Sequence, residues 1–197
     1  MDFNIKFDTQ HLSKVLEAAR REIATPQEML GSVGETLLRV NQDRHKKGLA
    51  PDGTPWKPLA AGTIASEAWR KQDQSFRDDK STSVAAGRKA AARRLLYVNG
   101  DLLRFQYQVT GNELHLGTND RKAVWHHEGT GTHGPKGAPY VIKPVNKKAL
   151  AFAGRVVKRV VHPGIPARPL VGYPESDEQL VGEVLTDHLT AVLRAVR

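Results

Sequence analysis

Three prolines within seven residues constrain the segment from His162 to Leu170, which reads His-Pro-Gly-Ile-Pro-Ala-Arg-Pro-Leu. We call this segment the strap. Each proline fixes its own φ and disfavours a helical conformation of the residue before it, so the pattern predicts a stiff, extended stretch. Arg168 is held between Pro166 and Pro169. Such a segment could be a connector between a strand and the next helix, or a preformed surface that loses little entropy on binding.

The composition favours a single domain, residues 1–197, that gains stability by assembling. Apolar residues make up 39% of the 197 and aromatic residues only 6%, a thin supply for a self-sufficient core. There is no cysteine, which excludes disulfides and thiolate metal sites. The first residues lack a signal-peptide layout and no apolar run approaches a membrane span. We therefore expect a soluble protein made in a reducing compartment, with no membrane partner.

The chain is basic, with 30 Lys and Arg against 21 Asp and Glu, a net charge of +9. A surplus of this size favours contact with nucleic acid or with an acidic protein surface. It makes neither contact specific, because many basic proteins carry their charge in solvent.

The N-terminal part predicts a short strand and two helices. Phe3 to Phe7 alternate apolar and polar residues, and from about Thr9 the spacing becomes helical. A second helix is expected to begin at Thr25, as the N-cap residue before a proline, and to stop at Gly48.

Two segments follow that could serve either the fold or a partner. Trp56 lies in a turn-rich connection, Pro51 to Leu59, where an indole either pins the loop to the core or forms an interface hot spot.

Residues 66–94 are polar and predict a mobile insertion. Its basic residues predict either a solvated helix face or a DNA-facing surface; they are Arg88, Lys89, Arg93 and Arg94.

The remaining pattern predicts an α+β fold, an antiparallel sheet of short strands packed with the N-terminal helices and a C-terminal helix. Ser176 to Gln179 has the form of a capping box and starts that last helix. Ala123 to Glu128 continues the series of strands, and Leu102 to Gln106 could instead begin as a helical turn. The other expected strands are Leu95–Val98, Leu102–Thr110, Glu113–Gly117, Tyr140–Val145, Ala149–Phe152 and Arg155–Val161.

The sequence offers no constellation for catalysis, metal binding or a cofactor. His126 and His127 lie beside Glu128, but neighbouring residues of a strand point to opposite faces and hardly share one ion. No HExxH spacing, nucleophile elbow or Walker loop occurs. We expect no enzyme activity, no metal and no cofactor. The alternative, a metal-dependent enzyme, would use His126 and His133.

Five separated segments resemble, in their order, the phage virion morphogenesis proteins, also called tail completion proteins, of the Mu G-like kind. These are related to the neck and minor tail components of other long-tailed phages. Two regions depart from the family pattern: residues 66–94 are longer and more polar, and the His-His-Glu-Gly sequence replaces the commoner His-Gln-aromatic-Gly. The segments are Pro51–Leu59 leading to Thr63, Leu95–Leu102, Leu116–Asn119, Ala123–Gly129 and Ile165–Gly172.

This resemblance implies a structural α+β protein without catalysis that completes the tail or neck and helps join capsid to tail. It would be made in the host cytoplasm and end in the virion, as a ring subunit around the DNA channel. The implied partners are neck, connector or tail proteins and copies of the chain itself, with a hexamer as one option, and non-specific contact with phage DNA. The expected interface residues are Trp56, His126, Pro166, Arg168 and Pro169. The alternative is a basic nucleic-acid-binding accessory protein.

We expect replacement of Arg168 by alanine to leave a folded subunit that assembles poorly. Unfolding of that variant would instead mean that Arg168 supports the core.

Overall fold

A computed structural model describes residues 9–60, 95–96, 100–152 and 155–196. Its helices are α1 (Gln10–Ala24), α2 (Gln27–Lys47), α3 (Arg121–Glu128) and α4 (Glu175–Ala195), with short 3₁₀ turns at Asp101–Leu103 and Gly131–His133. Its strands are β1 (Gln106–Thr110), β2 (Glu113–Gly117), β3 (Tyr140–Ile142), β4 (Leu150–Phe152), β5 (Arg155–Val157) and β6 (Val160–His162). The predicted α+β class is confirmed. The expected strand at Phe3–Phe7 and the polar insertion at 66–94, with Arg88, Lys89, Arg93 and Arg94, lie outside the described residues.

The described chain divides into two compact units that alternate along the sequence. One contains the described residues up to Arg39, the segment Tyr107–Leu116 and the described residues from Tyr173 onward. The other contains the described residues between Val40 and Gln106 and between Gly117 and Gly172. The expectation of one domain over 1–197 stays a prediction.

The described strands pair two by two. β1 pairs with β2 across the predicted turn at Gly111, β3 with β6, and β4 with β5. β3 and β6 are antiparallel, with Tyr140 opposite His162 and Val141 opposite Val161. The β4–β5 hairpin lies within the sequence that joins β3 to β6. A two-residue connection closes a hairpin easily, which is why the turn signal at Gly111 located β1 and β2. The expected single strand Arg155–Val161 was wrong, because its residues are divided between β5 and β6, which pair with different strands.

In the first unit α1 packs against α4, and His188 and Glu22 approach to 2.7 Å between Nε2 and Oε1. The helical spacing from Thr9 correctly predicted α1, but no α1 residue is fully buried. Leu12, Leu16 and Ile23 are each more than half exposed. The apolar stripe of α1 is therefore wider than the face that the described part of the chain covers.

α2 buries one side chain every four residues, as its helical period requires. The buried positions begin apolar, with Val33 and Leu37, and continue polar, with Asn41 and His45. Gly34 lies beside this stripe, and a Cβ atom there would collide with the ring of Tyr107. The glycine is needed for this close approach, although glycine is a poor helix former.

Four further local predictions were wrong. Thr25 caps the end of α1, where its Oγ1 donates to the Arg21 carbonyl at 2.9 Å, and does not start α2. α4 begins before Ser176, after Pro174, which has no side chain that can cap. Leu95 and Leu96 form a turn, because Leu96 adopts a left-handed φ of 64° that no strand uses.

Arg121–Glu128, the fourth, is a helix, α3, and not a strand. Asp120 supplies its N-cap, and the side chain of Asp120 accepts from the Lys122 N–H at 2.8 Å. Leu102 lies in a 3₁₀ turn before β1, as the alternative for that segment predicted.

We expect Gly34→Ala to lower the free energy of unfolding by at least about 1 kcal/mol, because the new methyl group must displace the Tyr107 ring. The matched control is Gly31→Ala in the same helix, where nothing lies within 4 Å of the added Cβ. Helix propensity should make that control more stable by up to about 1 kcal/mol. Urea unfolding of both variants measures the difference, and equal effects would contradict the close packing of Gly34.

Candidate functional site: the strap and its buried anchor

The first half of the strap is hydrogen-bonded to the loop that follows α3. The Thr130 N–H donates to the Ile165 carbonyl at 2.9 Å, and the Ile165 N–H returns a bond to Thr130 Oγ1 at 2.9 Å. Thr132 donates to the Pro163 carbonyl through its N–H at 2.7 Å and through its hydroxyl at 2.6 Å. The prolines leave few N–H groups in the strap, so its carbonyls carry most of these contacts.

Gly164 allows this close approach of two backbones. Its φ is +111°, which L-residues with a side chain rarely adopt, and a Cβ atom there would collide with the Thr130 carbonyl. Together with the prolines, this contact fixes the path of the strap by steric exclusion.

Arg168 is the anchor of the second half. Its side chain is only 2% exposed, and the guanidinium donates to two carbonyls of the turn-rich loop after α2: Nε to Lys57 at 2.9 Å and Nη2 to Pro58 at 3.2 Å. The Arg168 N–H donates to the His126 carbonyl at 2.6 Å. Three separate segments are thereby tied at one residue.

Trp56 reinforces the same connection from the loop side. It is 7% exposed, and its Nε1 donates to the Pro169 carbonyl at 2.9 Å. The Leu170 N–H donates to Nδ1 of His127 at 3.2 Å, and the Gly172 N–H to Oδ1 of Asn41 at 3.3 Å. The indole therefore pins the loop and the strap together, which is the structural alternative considered for Trp56.

A buried histidine lies against this anchor. The ring of His45 meets Trp56 edge-on at a centroid distance of 5.1 Å and Phe105 at 5.9 Å. Neither ring nitrogen of His45 has a hydrogen-bond partner in the described part of the chain, and Nδ1 of His126 has none there either. An imidazole in this setting is accommodated as a neutral aromatic ring.

Burial lowers the pKa of three side chains at this site. Burial, together with the nearby His126, lowers the pKa of His45 to about 4. Burial and the Arg168 guanidinium lower the pKa of His126, and burial lowers the pKa of Arg168. The guanidinium nevertheless keeps its proton at neutral pH, so the site holds one buried cation beside two neutral histidines.

The structure brings the five expected interface residues into one region of the second unit. Trp56 and Arg168 are buried, whereas His126, Pro166 and Pro169 are partly exposed. Sequence reasoning missed His45 and Asn41, whose four-residue spacing after Val33 and Leu37 was the available signal. The basic residues at 88–94 lie outside the described chain and are not placed at this site.

The site has no metal-binding arrangement among the residues that the structure describes. No group of three His, Cys, Asp or Glu side chains that could hold an ion occurs there. His126 and His127 were expected on a strand but lie on a helix, where neighbouring side chains diverge by about 100°.

The model of the phage virion morphogenesis family matches residues 7–190 of the chain's 197 residues. The chain belongs to this family. No match was found among curated proteins, and none among solved structures.

Membership of the virion morphogenesis family gives the chain a structural or morphogenetic role in building a phage virion, among other virion proteins. The match includes the strap, the Trp56 loop and α3. No helix in the described ranges combines the length and apolar character needed to cross a membrane.

The burial of Arg168 changes the expected result of Arg168→Ala. The variant loses both guanidinium bonds and leaves two carbonyls and a cavity, so we expect the free energy of unfolding to fall by about 3 kcal/mol. Lys57→Ala is the matched control, since only the Lys57 carbonyl accepts the bond and its side chain is exposed. Urea unfolding tests both; an Arg168→Ala subunit as stable as wild type would show that the anchor is dispensable.

His45 should make stability depend on pH. Its pKa is 6.5 in the unfolded chain and about 4 in the fold, so the unfolded chain binds more protons between these values. The contribution of His45 to the free energy of unfolding is fully present above about pH 6.5. It falls by up to about 3 kcal/mol as the pH drops to 4. His45→Phe should flatten the dependence, and His11→Phe on exposed α1 should not. The free energy of unfolding is measured at several pH values. An equal loss of this free energy between pH 6.5 and 4 in wild type and in His45→Phe would refute this role.

Proposed function

We propose that this chain is a structural subunit that completes the phage tail or neck and helps join it to the capsid. Copies would form a ring around the DNA channel at the head–tail junction. Neck, connector or tail proteins would be its neighbours in the virion. Synthesis in the host cytoplasm and the absence of catalysis are parts of the same proposal.

The observation that carries this proposal is the rigid presentation of the strap. Its path is fixed by Gly164, by the Thr130 loop and by Arg168, while Pro163 and Ala167 remain exposed. A surface that is already ordered loses little conformational entropy when a neighbour binds. A ring needs such a patch to meet a different patch on the next subunit, repeatedly and in one geometry.

The five expected interface residues divide into two roles in this proposal. Pro166 and Pro169, together with partly exposed His126, would contact the neighbour directly. Trp56 and Arg168 would act from inside the subunit by holding the strap in place. Their loss would affect assembly through stability.

Contact with DNA remains a secondary part of the proposal, supported by the net charge of +9. The alternative is a nucleic-acid-binding accessory protein. Its phosphate contacts would be Arg88, Lys89, Arg93 and Arg94. It requires salt-dependent binding of random duplex DNA by the subunit, lost when those four charges are removed.

Deletion of the gene in its phage should give capsids and tails that accumulate unjoined, as seen by electron microscopy. Ala167→Asp, which adds a charge to the exposed strap surface, should reduce infectious particles at least about tenfold, the effect of about 1.4 kcal/mol at one contact. Ala60→Asp, at another exposed alanine, is the control and should complement fully. Normally joined particles from the deletion phage would refute the proposed function.

A further inference from the structure

The charge of the chain is strongly segregated along its C-terminal third. Residues 129–174 contain eight Lys and Arg and no Asp or Glu, so they carry most of the net charge of +9. The next nineteen residues, 175–193, contain five Asp and Glu and no Lys or Arg. A basic segment and an acidic helix therefore follow one another directly.

Most of the basic charge lies on a thin, exposed element. We call the described residues between Tyr140 and His162 the arm; it consists of the β3–β6 pair and the β4–β5 hairpin. Its exposed basic side chains are Lys143, Lys147, Lys148, Lys158 and Arg159. None of the ion pairs among described residues involves them.

The arm also exposes apolar side chains that solvent does not favour. Val141 and Val161 lie opposite each other in the pair and are 50% and 61% exposed. Val145 and Val156 are exposed still further. A surface that only neutralises phosphates needs no valines, whereas a protein interface combines apolar contact with charge. The mixture favours an acidic protein surface as the occupant over DNA.

α4 offers a surface with the opposite charge. Its exposed acids, Glu175, Glu178, Glu183 and Asp187, fall within one half of the helix circumference at about 100° per residue. Gly182 lies between them on the same half, with open space where a Cβ would be. A glycine costs an exposed helix stability, but it lets another backbone approach closely between the flanking carboxylates.

We propose that the basic arm of one subunit docks on the acidic face of α4 of a second copy of this chain. The contact is heterologous, one patch meeting a different patch, and it is the type of contact that closes a ring. The inference rests on the proposed ring and adds a second pair of contacting surfaces to the contact that the strap makes. Because the charged groups are exposed, the association should weaken as salt concentration rises.

Charge reversal of either surface in the full chain tests the contact. Lys147→Glu/Lys148→Glu reverses part of the arm, and Glu183→Lys/Asp187→Lys reverses part of α4. Each should weaken self-association, measured by sedimentation at low salt, at least about tenfold, with an unchanged melting temperature. Lys14→Glu/Lys47→Glu makes the same charge change as the arm variant at exposed positions elsewhere and should leave association unchanged.

Mixing the two reversed variants is the decisive measurement. In an alternating assembly every reversed arm meets a reversed helix and every normal arm a normal helix, so the mixture should associate again. Either reversed variant alone, at the same total concentration, should not. Gly182→Leu, which removes no charge and favours the helix, should raise the melting temperature of the subunit and weaken association.

The inference is overturned if the mixture fails to recover, if wild type associates independently of both surfaces, or if wild type stays monomeric up to its solubility limit. Binding of random duplex DNA that the arm variant loses, with self-association unchanged, would make the arm a nucleic-acid surface and also overturn it. The phage deletion decides the head–tail role separately, so joining that depends on the gene would stand even where the arm contact fails.

Discussion

The buried guanidinium of Arg168 is the interaction on which the strap depends. A charge removed from water is costly unless its donors find acceptors, and here the Lys57 and Pro58 carbonyls accept. Those carbonyls are in place because Trp56 is buried in the same loop and bonded to the Pro169 carbonyl. Loop and strap therefore order each other, because each supplies hydrogen-bond partners to the other.

The polar half of the α2 stripe completes this anchor. Asn41 accepts from the strap's continuation at Gly172, and His45 fills the space beside Trp56 and Phe105. A leucine at 45 would bury as well, but an imidazole also brings a titratable group, whose pKa is lowered to about 4 by burial and by the nearby His126. The fold therefore gains an aromatic contact whose stability holds only above the acidic range of pH.

Periodicity and turn chemistry predicted the local elements, because α1, α4 and the β1–β2 hairpin are specified by residues near in sequence. The role of Arg168 was not predictable in this way. The flanking prolines fix the backbone of the strap, but the direction in which the side chain points depends on carbonyls about 110 residues away. α3 was mistaken for a strand for a related reason: eight residues carry too little periodicity to separate the two, and the Asp120 cap decides it.

Folding and assembly draw on different physical forces in this subunit, if the arm docks as proposed. The anchor is buried, so its hydrogen bonds are screened little by salt but respond to protonation of the histidines. The arm and the α4 face are exposed, so their attraction falls with ionic strength and leaves the anchor untouched. A subunit built this way remains folded while unassembled, with its arm free. Its contribution to a virion would then be controlled by the availability of neighbours, because the docking surface is ordered before they arrive.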